Sequence, residues 1–161
     1  MGLNPIPLAT YRKFAIDLFQ QFGRTIDADA VDSVYSAFDG VTWYVQMVMN
    51  ELFALTSYGE HCPQDRVQEA IDNVILAQES QYKELLSLIP PKQKQVLQAV
   101  AREGRASGIT SAAFIRRYQL PSASSIQSAV KGLLEKEIIT TDEGTYRIYD
   151  YFFSYWMAHK Y

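Results

Sequence analysis

The sequence predicts a mainly α-helical chain of two modules, a helical bundle followed by a second module that ends in a small β-hairpin. Three observations predict it. Apolar residues recur at helical spacing from Tyr11 to Ile89, the pair Pro90-Pro91 interrupts that pattern, and after Glu137 the period changes from helical to alternating around a glycine-containing turn. Charge divides at the same place, with a net −7 up to Ile89 and +4 from Pro90 onward making the overall −3. The modules are therefore expected at residues 3–89 and 90–161. Such asymmetry suggests different partners for the two, the second facing something anionic.

In the first module Thr10 is a plausible N-cap, and Tyr11, Phe14, Ala15, Leu18, Phe19 and Phe22 form one helical stripe that Gly23 stops. Asp27 or Asp29 starts a second helix carrying Val31, Val34, Tyr35 and Phe38, which Asp39-Gly40 ends. A third helix begins after Thr42. Its Trp43, Val45, Met47, Val48, Leu52 and Phe53 surround most of its circumference, which predicts the central, most buried helix. Thr56 to Pro63 reads as a loop, since Ser57, Gly59 and Pro63 break the pattern. One long helix is then expected from Gln64 to Leu88, with Val67, Ala70, Ile71, Val74, Ile75, Tyr82, Leu85, Leu86 and Ile89 on its stripe. Pro90-Pro91 ends it, because proline disfavours helical geometry in the residue before it and donates no hydrogen bond.

In the second module Lys92 to Glu103 is a helix with Val96, Leu97, Val100 and Ala101 inward, closed by Gly104. Thr110 is the expected cap of a short helix that turns Ala113, Phe114 and Tyr118 inward. Tyr118 to Ser122 is a turn, and Ser122 caps a third helix with Ile126, Val130, Leu133 and Leu134 buried. Two β-rich runs, Ile138 to Thr141 and Thr145 to Asp150, flank Asp142-Glu143-Gly144 as a hairpin. Three short helices and a hairpin form the winged helix-turn-helix arrangement. Tyr151 to His159 is a further helix, whose Phe152, Phe153, Tyr155 and Trp156 require a surface to pack on.

Several functions are argued against. Cys62 is the only cysteine, so no intramolecular disulfide forms and a cytoplasmic location is the default. No apolar run approaches the length of a membrane span, and Met1 to Leu8 lacks the regions of a signal peptide. His61-Cys62 has no second pair at zinc spacing, and Cys62 has no sequence-level base partner, so neither a metal site nor a catalytic residue is assigned. Asp27, Asp29, Asp32 and Asp39 read as caps and solvated positions rather than as an acid–base pair.

The run Phe38-Asp39-Gly40-Val41-Thr42-Trp43-Tyr44-Val45-Gln46 resembles the small helical lid of AAA+ P-loop ATPases of the STAND-related archaeal ATPase type. Leu120 to Gln127, Gly132 to Lys136 and Tyr146-Arg147-Ile148-Tyr149-Asp150-Tyr151-Phe152-Phe153 are similar to the carboxy-terminal winged helix and closing segment of the same proteins, particularly those of Bacteroides-like bacteria. The resemblance implies a bacterial ATPase parent using ATP and magnesium, with Gly40, Thr42 and Trp43 on a nucleotide-facing lid surface. The sequence departs from the lid pattern at Thr42, where proline is frequent, and has no sensor-like arginine near Gly40. None of the eight glycines opens a Gly-x-x-x-x-Gly-Lys-Ser/Thr loop, and no acidic run closes an apolar strand. The chain is therefore expected to be a carboxy-terminal piece without cofactors of its own, as Met1-Gly2 ahead of a family-like segment also suggests. Its expected partner is a missing amino-terminal ATPase core.

On the third winged-helix helix, Ser124, Ser128, Lys131 and Glu135 are expected to be exposed. Ser124, Ser125 and Ser128 suit contacts to phosphates, bases or a protein, Lys131 suits a phosphate, and Arg116 and Arg117 on the preceding helix could grip a backbone. One cation beside one anion on that face, with an acidic wing tip, favours a protein partner over DNA. Two functions follow. The first is a non-catalytic ATPase fragment coupling nucleotide state to a protein or DNA partner; the second is a stand-alone DNA-binding transcriptional regulator. A homo-oligomer is a third use of the same surfaces.

Overall fold

The computed structural model describes residues 4–161. Met1 to Leu3, including the expected start of the first module at residue 3 and the Met1-Gly2 pair, lie outside the described residues. The chain forms two compact units, Met1–Ala77 and Gln78–Tyr161.

The first unit runs α1 (Leu8–Gln21), β1 (Thr25–Ile26), α2 (Ala28–Ala37), α3 (Thr42–Leu55), β2 (His61–Cys62), a 3-10 turn (Gln64–Arg66) and α4 (Val67–Leu76). Helix α1 starts at Leu8, ahead of Thr10, with Pro7 at φ −54° and ψ 142° in the N-cap position and no side-chain cap. Tyr11, Ala15 and Phe19 of α1 are buried, as are Ala30, Val31 and Val34 of α2, and Val45, Val48, Met49 and Leu52 of α3. Fully burying an aliphatic or aromatic side chain contributes about 1.5–3 kcal/mol, so these helices are held by tertiary packing rather than by their caps. Trp43 departs from the expected burial: it sits in the first turn of α3 and remains 58% exposed, while Phe14 and Phe22 on α1 are about half exposed.

The segment expected as plain loop contains β2, which pairs in parallel with β1, Thr25 opposite His61 and Ile26 opposite Cys62. Two guanidiniums close the carboxyl end of α3. Arg24 Nε donates to the Thr56 carbonyl at 2.6 Å, and Arg66 Nη1 donates to the Leu55 carbonyl at 3.3 Å. Cations there neutralise the partial negative charge of the helix terminus.

The single long helix expected from Gln64 to Leu88 is two helices and a 3-10 turn. Helix α4 ends at Leu76 and α5 (Glu79–Ser87) begins after Gln78, which lies at φ −108° and ψ 6°. The apolar stripe is real but serves two cores: Val67, Ala70, Ile71, Val74 and Ile75 are buried in the first unit, and Tyr82, Leu86 and Ile89 in the second. A break is needed for each half to bury its own stripe. The compact units accordingly meet between Ala77 and Gln78 rather than at the proline pair.

The second unit continues α6 (Pro91–Glu103), α7 (Ala112–Tyr118), α8 (Ala123–Glu135), β3 (Ile139–Asp142), β4 (Thr145–Ile148) and α9 (Tyr151–His159). Pro91 at the first position of α6 loses only an amide that the helix leaves unpaired. Gly104 ends α6 at φ 76°. Helix α7 is capped by Ser111, whose hydroxyl accepts the Phe114 amide, one residue beyond the expected Thr110. Phe114 is buried, whereas Ala113 is exposed because that flank of the short helix faces solvent.

Helices α6 and α8 pack together. Gly132 lies at this packing, where an added Cβ would fall 2.3 Å from the Gln93 amide nitrogen. Helix α9 packs on α6, α5 and β4, which buries Phe152, Phe153, Trp156 and Met157. Tyr82 of α5 lies 5.5 Å from the Phe153 ring and 5.7 Å from that of Trp156, and Trp156 Nε1 donates to Glu79 Oε1 at 3.2 Å.

β3 and β4 are antiparallel, with Asp142 opposite Thr145 and Ile139 opposite Ile148. Glu143 at φ 50° and Gly144 at φ 81° occupy the two turn positions, the positive-φ geometry of a type I′ hairpin. Ala106 and Tyr146 exchange two backbone hydrogen bonds of 2.8 Å, which adds a single bridge to the far side of β4. β3 is thereby left at the outer edge.

Candidate functional site

The helix-turn-helix is built by three local devices. Gln119 takes left-handed geometry, φ 54° and ψ 46°, and ends α7; Leu120 is buried beneath the turn; and Ser122 Oγ accepts the Ser125 amide at 3.2 Å to begin α8. Ile126, Ala129, Val130 and Leu133 fix α8 to the core. That orientation leaves Ser124, Ser128, Lys131 and Glu135 exposed. Ser125 is half-buried, and its hydroxyl accepts from Ser122 Oγ at 3.1 Å, so it belongs to the cap rather than to the open face.

The two arginines of α7 have different positions. Arg117 Nη1 pairs with Glu103 Oε1 at 2.7 Å, and the Tyr118 hydroxyl donates to the same oxygen at 2.7 Å. The Tyr118 hydrogen bond, followed by that from Arg117, holds the Glu103 carboxyl below the usual range, and Glu103 holds the Arg117 guanidinium up. Arg117 pairs with the end of α6 while remaining 63% exposed, and Arg116 is exposed as well. The exposed face of α8 thus presents Ser124, Gln127, Ser128, Lys131 and Glu135, and the hairpin ends in Asp142-Glu143. Polyanion binding depends on several cations, and this face carries Lys131 alone.

In the first unit Gly40 is buried in the turn between α2 and α3, at φ 69°. Its amide donates to the Tyr35 carbonyl at 2.8 Å, and an added Cβ would fall 2.5 Å from the Tyr35 ring. Thr42 and Trp43 are exposed in the first turn of α3, with Trp43 standing edge-on to Tyr44 at 5.0 Å. Next to α3, a cleft of about 330 Å³ opens against α1, lined among others by Phe14, Leu18, Phe22, Met49 and Phe53.

Sequence reading missed one polar constellation. His61 Nδ1 lies 2.7 Å from Thr25 Oγ1, and its Nε2 lies 2.7 Å from Asp27 Oδ1, while Asp27 Oδ2 accepts the Gln64 amide at 3.1 Å. The hydrogen bond from His61, then that from Gln64, lowers the Asp27 pKa. With His61 and Asp27 side chains 50% and 43% exposed, the row is open to water, and it pins β1 to β2. No sequence periodicity links these residues; only the β1–β2 pairing brings them together. Cys62 beside it is buried, and desolvation pushes its thiol pKa up, opposite to what a nucleophile requires. Among the described residues no group of three or more His, Cys, Asp or Glu side chains could hold a metal ion.

The class of the second unit follows from its order of elements: helix, bridging residue, helix, turn, outward-facing helix, two-stranded wing. Residues 80–159 match the family described as "Probable winged helix domain", and this part of the chain is a winged helix domain, a fold that serves DNA or protein binding. No curated protein and no solved structure matches the chain. The match begins within α5 rather than at the proline pair, in keeping with the packing of Tyr82 on α9.

Proposed function

We propose that the chain is a non-catalytic adaptor, the lid-like and winged-helix part of a P-loop ATPase, which couples nucleotide state to a protein partner docked on the winged helix. The observation that carries the docking assignment is the outward face of α8. Lys131 and Glu135 balance each other there, Ser124 and Ser128 supply hydrogen-bonding groups, and the nearby Arg117 is already paired with Glu103. The ATPase assignment is supported by the sequence resemblance, and its non-catalytic part is drawn because these residues contain no phosphate-cradling Gly-x-x-x-x-Gly-Lys-Ser/Thr loop. ATP and magnesium belong to the parent in this reading, and Gly40, Thr42 and Trp43 lie on its lid.

Two observations test it. Calorimetry of the isolated chain with magnesium ATP gives no saturable heat, and the reading frame preceding the Met1 codon encodes a P-loop followed by an acid-terminated apolar strand. Hydrolysis by the pure chain, or a frame without a P-loop, overturns the ATPase assignment.

A second reading, a DNA-binding transcriptional regulator, is favoured by the +4 charge from Pro90 onward. It requires Arg116 and Lys131 to contribute to binding, with a steep dependence on salt.

A further inference from the structure

The free edge of the wing has the features of a strand acceptor. In a two-residue hairpin the residues flanking the turn form a hydrogen-bonded pair, and such pairs alternate with non-bonded ones along the ladder. Asp142–Thr145 and Thr140–Arg147 are therefore bonded pairs, as is Ile138–Tyr149, where the Tyr149 amide donates to the Ile138 carbonyl at 2.9 Å. Ile139 and Thr141 sit in the non-bonded pairs, so their amides and carbonyls point away from β4. Tyr146 gives an independent check. It faces Thr141 in a non-bonded pair, and its own amide and carbonyl turn to the opposite side, where they bind Ala106 at 2.8 Å.

The outward groups of Ile139 and Thr141 open on a groove of about 490 Å³ that runs along β3. Leu134 of α8 and the 63% exposed ring of Tyr149 supply apolar walls to it. Its one charged lining residue is Glu137, and Asp142 and Glu143 stand where the strand meets the turn. Thus the edge offers backbone donors and acceptors, apolar walls for alternate side chains, Glu137 at one end and, at the other, Asp142 and Glu143, which share a second groove with Arg105 and Arg147.

The geometry points to β-strand addition at β3: the wing binds an extended, basic and apolar-alternating peptide segment of a protein partner. Main-chain hydrogen bonds to Ile139 and Thr141 supply the register, while Leu134 and Tyr149 select apolar side chains and the carboxylates select lysine or arginine. Charge also decides against a second copy of this chain. Pairing β3 with itself about a two-fold axis through Thr140, which sets Ile139 opposite Thr141 so that their outward groups bond, places Glu137 opposite Glu143 of the other copy, and like charges on facing strands are destabilising. This surface shares only Leu134 with α8, and its outward amides and carbonyls belong to β3, so the inference does not depend on which partner the outward face of α8 meets.

The test is an anisotropy titration of the full chain into a fluorescein-labelled peptide of about eight residues, a typical strand length, alternating valine and lysine. A second peptide of the same sequence is N-methylated at alternate amides, which removes its donors and leaves the protein untouched. The expected result is saturable binding that weakens about tenfold or more with the methylated peptide, and likewise with Thr141→Pro. Proline is tolerated on an edge strand where the amide faces solvent, and a thermal melt confirms that the variant folds. Amide exchange at Ile139 and Thr141 slows in the complex, and Glu137→Gln with Glu143→Gln weakens binding and its salt dependence. Four results overturn the proposal: no saturation up to about 1 mM chain, equal affinity for the methylated peptide, protection confined to other segments, or a dimer of the free chain that Thr141→Pro dissociates.

Discussion

Gly40 shows how much one residue can be asked to explain. Its resemblance-based role is a lid surface near nucleotide, yet its position in the chain already demands glycine, because φ is 69° and the Tyr35 ring lies where a side chain would start. Tyr35 cannot swing aside freely, since its hydroxyl donates to the Ile6 carbonyl at 2.7 Å. Gly40→Ala is expected to cost about 1–3 kcal/mol by urea unfolding; a loss below about 0.5 kcal/mol contradicts this packing account. The Asp27 carboxyl gives a pH prediction with a defined sign. Its folded pKa is depressed, so its stabilising contribution is complete above the ordinary aspartate range and is lost as pH falls through the folded value. Carbon NMR of the Asp27 carboxyl should titrate below an unperturbed aspartate, and His61→Ala should return it toward the ordinary value. An unshifted midpoint in the parent chain contradicts the Thr25-His61-Asp27 row. Ser122 as a cap was legible in the sequence because capping is local. The His61 row was not, because its partners meet through a strand pairing that no periodicity announces.

Among the elements, α8 has a well-formed start and a less favourable end. Ser122→Ala removes the hydroxyl that accepts the Ser125 amide and is expected to destabilise by about 1 kcal/mol in a thermal melt. At the other end the Ile138 amide donates to the Leu133 carbonyl at 3.1 Å and the Glu137 amide to that of Leu134 at 3.0 Å, the pattern of a Schellman motif with glutamate in the left-handed position at φ 60°. Glu137→Gly should therefore stabilise by up to about 1 kcal/mol, the left-handed cost of an L-residue less the entropy of a glycine. A destabilised variant contradicts that assignment. Helix α5 is the element that sequence reading placed least well. Its apolar stripe continues that of α4 without a glycine or proline between them, so only tertiary packing separates the two. Because Tyr82 is 5% exposed against Phe153 and Trp156, Tyr82→Ala should cost about 3–5 kcal/mol and lower the melting temperature of the winged-helix unit. A near-neutral effect returns α5 to the first unit.

At the scale of the whole molecule, the mainly helical fold was legible because the longer helices repeat their apolar period over several turns, the hairpin because two alternating runs flank Asp142-Glu143-Gly144, and the winged helix followed from their order. The exposed Trp43, Phe14 and Phe22 were not, since apolar identity gives no information on which copies of a stripe remain uncovered. Charge by itself does not identify the partner. The +4 of the second half fits a polyanion, while the exposed face of α8 sets Lys131 beside Glu135 and Arg117 is paired with Glu103. Whether that face reads DNA separates the two functions. The direct measurement is a fluorescence anisotropy titration of labelled duplex DNA with the full chain at low salt, repeated with Lys131→Glu and Arg116→Glu. A protein-docking face gives affinity no tighter than the non-specific range of about 10⁻⁴–10⁻⁶ M, changed by less than about threefold in either variant. Binding near 10⁻⁸ M that falls steeply with salt and is lost in both variants would contradict it and make the chain a DNA reader.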